Sequence, residues 1–350
     1  MNVLGIETSC DETSAAVVRD GRTVLSSVVF TQIAQHRPYG GVVPEIASRS
    51  HVEEITGIVR QAVDDAKLEW AQVDAVAVTY GPGLASSLLV GLSAAKALAL
   101  RLGKPLLGVN HVEAHLYSLF LGPDAPLPEA VAPMVVLMVS GGHTALVQIG
   151  KVGSYKLLGQ TLDDAAGEAL DKGANLLGLG YPGGPAIENA AAGGDPAYVK
   201  FPRGLRHHVA GELAGDLDRD LCFSFSGLKT SLLYYLKDHP DVLSNGRMMD
   251  IAASYQEAVF DALLLRLKRA VERYPVAAVG CVGGVARNRR LREKIERLAK
   301  EHGVRLLVTR PEFCTDNAAM IAALAAAPGS LVQASDGDLD VQPDLVIDQP

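Results

Sequence analysis

The sequence predicts an α/β protein of two domains, and three observations predict it. Residues Val73–Thr79 read as a strand, Gly81-Pro82-Gly83 as a turn, and Leu84–Leu102 as an apolar helix rich in small residues, which together make a βα unit. Two hairpins of one design, apolar strand then polar turn then apolar strand, begin near Val3 and near Val135, and this marks an internal duplication. The 350 residues, 48% hydrophobic with mean hydropathy +0.17, suffice for two buried cores.

The elements follow in order. Val3-Leu4-Gly5-Ile6 and Ala15-Ala16-Val17-Val18 are short buried strands. The turn between them, Glu7-Thr8-Ser9-Cys10-Asp11-Glu12-Thr13-Ser14, is dense in hydroxyls and carboxylates. It suits a phosphate or metal-phosphate loop, and a solvated turn is the alternative. Tyr39–Arg49 is a glycine turn entering a helix that runs through His51 towards Ala66, with His51 read as a surface or packing residue. The Gly81-Pro82-Gly83 turn stands at the carboxyl end of its strand, where α/β sheets bind ligands.

Pro105–Val109 is then a strand leading into Asn110-His111-Val112-Glu113-Ala114-His115. Two histidines four apart lie about 40° from each other around a helix, one turn above the other, and offer two nitrogens to one point. Asn110 is a good N-cap, and Glu113 three residues on completes a capping-box spacing. In the first helical turn the dipole disfavours imidazolium, so His111 is expected neutral, the form that binds metal. A zinc peptidase of the H-E-x-x-H type is excluded, because Glu113 follows at i+2 and points roughly 200° away from His111.

The second hairpin turns at Ser140-Gly141-Gly142-His143-Thr144, whose backbone N–H groups can approach an anion; His143 is a weaker ligand candidate. Asp163–Lys172 reads as a helix start with an acidic face. Gly178–Gly183 matches G-x-G-x-x-G but follows a helix and contains Pro182, so it is no dinucleotide fingerprint. Phe223–Thr230 carries neither a nucleophile elbow nor a P-loop. Ala277–Cys281, a glycine turn and the run Arg287–Arg292 give strand, turn and basic helix, the arginines being either a solvated face or an RNA-facing patch. Arg305–Val308 is a strand, and Asp316 precedes an Ala-rich helix, Ala318–Ala327, as N-cap or as a carboxylate ligand. From Ser335 on, Asp336, Asp338, Asp340, Asp344 and Asp348 without Lys or Arg suggest a loosely ordered tail.

Four scattered cysteines (Cys10, Cys222, Cys281, Cys314) form no C-x-x-C and read as reduced thiols of a cytoplasmic protein. The acidic N-terminus does not read as a signal peptide, and no membrane span is expected, because Ser93, Lys96 and Arg101 interrupt the Leu84–Leu102 run. A net charge of −8 argues against a protein that grips nucleic acid unaided.

Six blocks in order carry a family likeness: Gly5–Thr13, Gly40–Glu45, His111–His115, Val139–Thr144, Phe225–Thr230 and Glu312–Asn317. They resemble the bacterial TsaD family, the tRNA N6-adenosine threonylcarbamoyltransferases formerly labelled O-sialoglycoprotein endopeptidases. The resemblance runs from residue 1 to about residue 330. It implies a two-lobed actin/sugar-kinase/Hsp70-like (ASKHA) fold of duplicated mixed sheets flanked by helices. Lobe I is expected at 1–130 plus 318–334, lobe II at 131–317, and the acidic tail at 335–350.

It also implies an acyltransferase that moves the threonylcarbamoyl group of L-threonylcarbamoyl-adenylate to N6 of adenosine 37, in tRNAs reading codons that start with A, releasing AMP. The implied metal ligands are His111, His115 and Asp316, holding one divalent ion, iron(II) or zinc, in a cleft between the lobes. Adenylate-binding positions carry over to Met138, Val139, Ser140, Gly141, Gly142, Asp171, Gly184, Glu188 and Asn288, with Met138 standing where archaeal members have Tyr. Asp11 is the candidate to take a proton from the attacking amine. Implied partners are tRNA, a paralogous TsaB-like subunit and a small TsaE-like ATPase, in the cytoplasm and with no membrane. An ATP-dependent kinase or ATPase of the same fold and a non-catalytic scaffold paralogue are the alternatives, and neither needs the two histidines and Asp316 together.

Overall fold

The computed structural model describes residues 1–350 apart from 205–216, 331, 333, 336 and 348–350. The first half runs β1 (Asn2–Glu7), β2 (Glu12–Arg19), β3 (Thr23–Thr31), α1 (Ile33–His36), α2 (Pro44–Asp65), β4 (Ala75–Gly81), α3 (Ala85–Leu102), β5 (Leu106–Asn110) and α4 (His111–Tyr117). Then come β6 (Met134–Val139), β7 (Thr144–Lys151), β8 (Ser154–Gln160), α5 (Ala166–Leu176), α6 (Gly183–Ala190), α7 (Ser226–Asp238) and α8 (Met248–Arg273). The chain closes with β9 (Ala278–Val282), α9 (Arg289–Glu301), β10 (Arg305–Val308), α10 (Ala318–Ala325) and β11 (Ala334–Ser335).

The duplication is borne out strand by strand. One sheet has the order β11-β5-β4-β1-β2-β3 and the other β10-β9-β6-β7-β8. In each, an antiparallel hairpin (β1 with β2, β6 with β7) is extended by a parallel strand on its first member (β4 on β1, β9 on β6). Both are mixed sheets, the order β5-β4-β1-β2-β3 repeating β10-β9-β6-β7-β8, with β11 added antiparallel on β5 in the first alone.

Two compact units result. Unit 1 is Met1–Val131, Gly150–Lys156 and Thr309–Pro350, and unit 2 is Ala132–Ile149 and Leu157–Val308. This division differs from the expected lobes at three places, the first being Gly150–Lys156 of the β7–β8 turn, expected in lobe II and found in unit 1. Residues 309–317, with Asp316, group with unit 1, because the chain leaves β10 to enter α10, which packs on β1 and β2. The expected loose tail also belongs there: Leu339 and Val341 pack against the apolar core and Ile347 is buried, while Asp336 and Asp348 fall outside the described residues.

In unit 1, Leu4, Ile6, Ala15 and Val17 join Ile55, Val59 and Ala62 of α2 and Leu92 and Ala95 of α3 in one apolar cluster. Gly5, between Leu4 and Ile6, faces the opposite way, and a Cβ there would lie 2.4 Å from Ala318 O of α10. Strand β1 is therefore covered on both faces, which is why its sequence is apolar without alternation. Among the described residues α3 alone is long and apolar enough to cross a membrane; its Ser87, Leu88, Gly91, Leu92, Ala95 and Ala99 are buried, and it packs against α2 and β4. In unit 2, α8 packs on β6, α6 and α5, and Tyr255 of α8 donates to Ala169 O at 2.8 Å.

Candidate metal centre

The centre forms where three strands of unit 1 end. Strand β5 stops at Asn110, whose Oδ1 accepts from Val112 N at 2.9 Å and Glu113 N at 3.3 Å, so α4 begins at His111 as the cap predicts. One turn on, His115 lies with its ring centroid 4.6 Å from that of His111 and the two planes at 87°. Asp316, in the loop before α10, reaches both: its Oδ1 is 3.0 Å from His115 Nε2 and 3.5 Å from His111 Nε2. One ligand atom from each of the three lies within 4.8 Å of the others. Sequence reasoning looked to a cleft between two lobes to join them. Instead all three belong to unit 1, because residues 309–317 do.

Glu7 completes the arrangement. It is fully buried at the end of β1, and its Oε2 accepts from His111 Nδ1 at 3.1 Å and from Thr79 Oγ1 of β4, while Oε1 accepts from Ser9 N. Ser9 Oγ is a further neighbour of His111 Nδ1, at 3.2 Å. A carboxylate on Nδ1–H fixes the tautomer that leaves Nε2 for a cation and makes that nitrogen more basic. His115 has no such support, for its buried Nδ1 finds no hydrogen-bond partner among the described residues.

The electrostatics run against the neutral ring expected for His111. Burial favours the neutral form, but Glu7 and then Asp316 outweigh it and push His111 up to about 9. Burial likewise opposes the Glu7 charge, and His111 nonetheless holds that carboxyl below the usual range. The amides of α4 disfavour imidazolium, but two carboxylates from elsewhere in the chain outweigh them. In the metal-free protein the His111 imidazolium offsets one of these two carboxylate charges, which is the place a cation takes.

The donor set fits a divalent ion. Ligand atoms around a single ion with bonds near 2.1 Å lie about 3–3.5 Å apart, and the two separations at Asp316 match this. Two imidazoles and one carboxylate suit iron(II) or zinc.

The hairpin turn between β1 and β2 is not the solvated turn that stood as an alternative. Thr8, Ser9, Asp11, Thr13 and Ser14 are all buried. Burial first, then the charges of Asp11 and Asp316, push Glu12 well above the carboxylate range, and burial keeps Cys10 a thiol. His51 is a packing residue: burial holds it neutral, Nε2 donates to Cys10 O at 3.0 Å, and Nδ1 accepts from Thr13 Oγ1 at 2.8 Å. Asp11 lies on the loop so held, its carbonyl accepting from Gln32 N at 3.1 Å.

The residues expected to bind the adenylate all belong to unit 2. Met138 and Val139 end β6, and Ser140 N donates to His143 O at 2.8 Å while Ser140 Oγ accepts from His143 N at 3.0 Å. Gly141 and Gly142 are exposed, with open space where side chains would stand. Gly283, at φ +92°, brings the turn after β9 against β6, since a Cβ there would lie 2.4 Å from Val139 O. Asp171 Oδ1 accepts from Gly183 N at 2.6 Å, beside Gly184, and Glu188 Oε1 accepts from Arg289 N at 2.9 Å. Asn288 caps α9 through Leu291 N and donates to Gln256 Oε1 at 2.8 Å, so both ends of its amide already serve the fold. Arg290 and Lys294 pair with Glu257, which makes much of the basic α9 an ion-paired face. The helix start expected over Asp163–Lys172 is α5, which begins at Ala166; Asp163 precedes it, accepts from Phe225 N, Ser226 N and the hydroxyls of Ser224 and Ser226, and so anchors the turn before α7.

Comparison with known proteins places these observations. Residues 23–323 match the family TsaD, described as tRNA N6-adenosine threonylcarbamoyltransferase. A protein of that name from Syntrophobacter fumaroxidans is 51% identical over 330 residues, which cover 93% of each chain. Among solved structures, component A of Acidaminococcus fermentans (R)-2-hydroxyglutaryl-CoA dehydratase aligns with TM-score 0.51 at 14% identity, over 93% of this chain and 98% of that one. HypF of T. kodakarensis aligns with TM-score 0.58 at 17% identity, over 93% of this chain and 47% of that one. At such identities the two structures speak for the fold alone, which is the ASKHA fold expected.

Proposed function

The chain belongs to the TsaD family of tRNA N6-adenosine threonylcarbamoyltransferases, and from that premise we propose that it moves the threonylcarbamoyl group of L-threonylcarbamoyl-adenylate to N6 of adenosine 37 in tRNAs reading codons that start with A. In the reaction the exocyclic amine forms a bond to the carbamoyl carbon. The bond from that carbon to the phosphate oxygen breaks, and AMP leaves with the electron pair. The amine is a weak nucleophile, so holding both reactants in place is the main contribution, worth about 7–11 kcal/mol.

The observation that carries this reading is the set of buried His111 and His115 with half-buried Asp316, and Glu7 behind it. These three residues would hold one divalent ion, iron(II) or zinc. When bound, such an ion supplies Lewis acidity for the oxygen charge that develops during transfer. Asp11 takes the proton released by the amine; its loop is held by His51 and Gln32. Met138–Gly142, Asp171, Gly184, Glu188 and Asn288 bind the adenylate, with the open Gly141-Gly142 turn presenting N–H groups to phosphate oxygens. A net charge of −8 supports reliance on a TsaB-like and a TsaE-like subunit for the grip on tRNA, in the cytoplasm.

The test is transfer of labelled threonine onto tRNA by the purified chain with candidate subunits, supplied with the adenylate. Label in tRNA that disappears with His115→Ala supports the reading. Steady ATP consumption with simple sugars that survives His111→Ala would instead support a kinase of this fold.

A further inference from the structure

The segment after β11 is built as a strap. From residue 338 to residue 347 exposed and covered positions alternate without a break, and Leu339, Val341, Pro343, Leu345 and Ile347 are the covered ones. The alternation lays one side of the segment against the protein on either side of a turn at Pro343-Asp344, which Leu345 N closes by donating to Gln342 O at 3.1 Å.

Its contacts follow the ends of β4 and β5. Ala334 and Ser335 pair antiparallel with Leu107 and Leu106. Leu339 sits on Gly108, where even a Cβ would come within 2.8 Å of its Cδ2. Gln342 N donates to Tyr80 O at 2.8 Å, and Gly83 N donates to Pro343 O at 3.1 Å. Finally Asn110 Nδ2 donates to Val346 O at 3.0 Å. The other end of the same amide, Oδ1, accepts from Val112 N and Glu113 N to cap α4. One side chain thus ties the strap to the first turn of the helix that carries both histidines.

We propose that the strap, residues 338–347, is a positioning element of the metal centre. It locks the Asn110 amide in its capping orientation and so sets where α4 starts and where His111 and His115 point. Helix α4 has seven residues, too few to hold itself, and depends on its cap and its packing. The strap lies beyond residues 23–323 that match the family, and nothing in that match assigns it a role. The inference rests on the metal-centre reading, so its test separates the two.

The full-length protein is titrated with chelator-buffered cobalt(II), read by d–d absorption, as wild type, Leu339→Ala, Asn110→Ser and the double variant. Ser keeps a capping oxygen but cannot donate to Val346 O. Each single change should weaken cobalt(II) binding about twofold to tenfold, the equivalent of one hydrogen bond. The double variant should be little weaker than the worse single one, because both act through the same Asn110 contact. Thermal unfolding should stay cooperative in all four; if Leu339→Ala does not fold, Asn110→Ser against wild type carries the comparison. Wild-type affinity in Leu339→Ala or in Asn110→Ser, or effects that multiply in the double variant, would overturn the strap and leave the metal centre standing. Wild type giving no cobalt spectrum would overturn both.

Discussion

Replacing Glu7 with glutamine probes how the centre exchanges a proton for a cation. In the metal-free protein Glu7 and Asp316 push His111 up to about 9 against the effect of burial. An ion taking Nε2 must displace that proton, so between pH 7 and 9 apparent affinity should climb about tenfold per pH unit. Glutamine keeps the size but brings an NH2 group where an acceptor stood. With its NH2 towards Ser9 N, one buried donor loses its partner. With its NH2 towards His111 Nδ1, the ring must move its proton to Nε2, the nitrogen that the ion needs. Zinc binding at pH 9 should therefore weaken about 10–100-fold, as for other lost outer carboxylates. Towards pH 7 the gap should narrow, because wild type alone still displaces a tightly held proton, a cost of about 3 kcal/mol there. Chelator-buffered zinc titrations of both proteins across this range decide it. Parallel pH curves, or equal affinity at pH 9, would refute the reasoning.

Three further outcomes follow from the same geometry. His111 carries a folded value of about 9 against an ordinary value of 6.5; the stability it contributes is complete below pH 6.5 and lost as pH rises through 9. Urea midpoints of the metal-free protein should therefore fall by the equivalent of about 3 kcal/mol across that window, and the drop should be absent in Glu7→Gln. Asp163→Ala removes the acceptor for Phe225 N, Ser226 N and two hydroxyls, and should cost about 1–2 kcal/mol of stability by denaturant unfolding while leaving bound metal unchanged. With a net charge of −8, the isolated chain should bind tRNA more weakly than about 1 μM at physiological salt in electrophoretic titration, and partner subunits should strengthen it.

Much of the centre was legible because its signals are local. The spacing of His111 and His115, the cap at Asn110 and the strand before it lie within a dozen residues, and helix geometry does the rest. The duplicated hairpins announced the two sheets in the same way. Glu7 was not legible: it stood in plain view at the end of an apolar strand, but its partner lies 104 residues on. The charge state of His111 depends on that distant partner and is not legible locally either. Asp316 stands out locally, before an Ala-rich helix, and the family likeness joins it to the histidines, while its membership of unit 1 depends on where α10 packs, which no local pattern states. The tail was misjudged on composition. Its aspartates suggested disorder, yet Leu339, Val341, Leu345 and Ile347 alternate with them, and that period-two pattern was there to be read.

The central claim is that His111, His115 and Asp316 hold the ion on which transfer to tRNA depends. Metal analysis of purified wild type, His115→Ala, Asp316→Ala and Glu113→Gln, paired with the labelled-threonine transfer assay, tests it most directly. Both ligand variants should lose bound metal and transfer activity by orders of magnitude while staying folded. Glu113→Gln should keep both, since a glutamine three residues after Asn110 meets the same capping pattern. Loss of activity in Glu113→Gln, with metal and activity intact in Asp316→Ala, would contradict it.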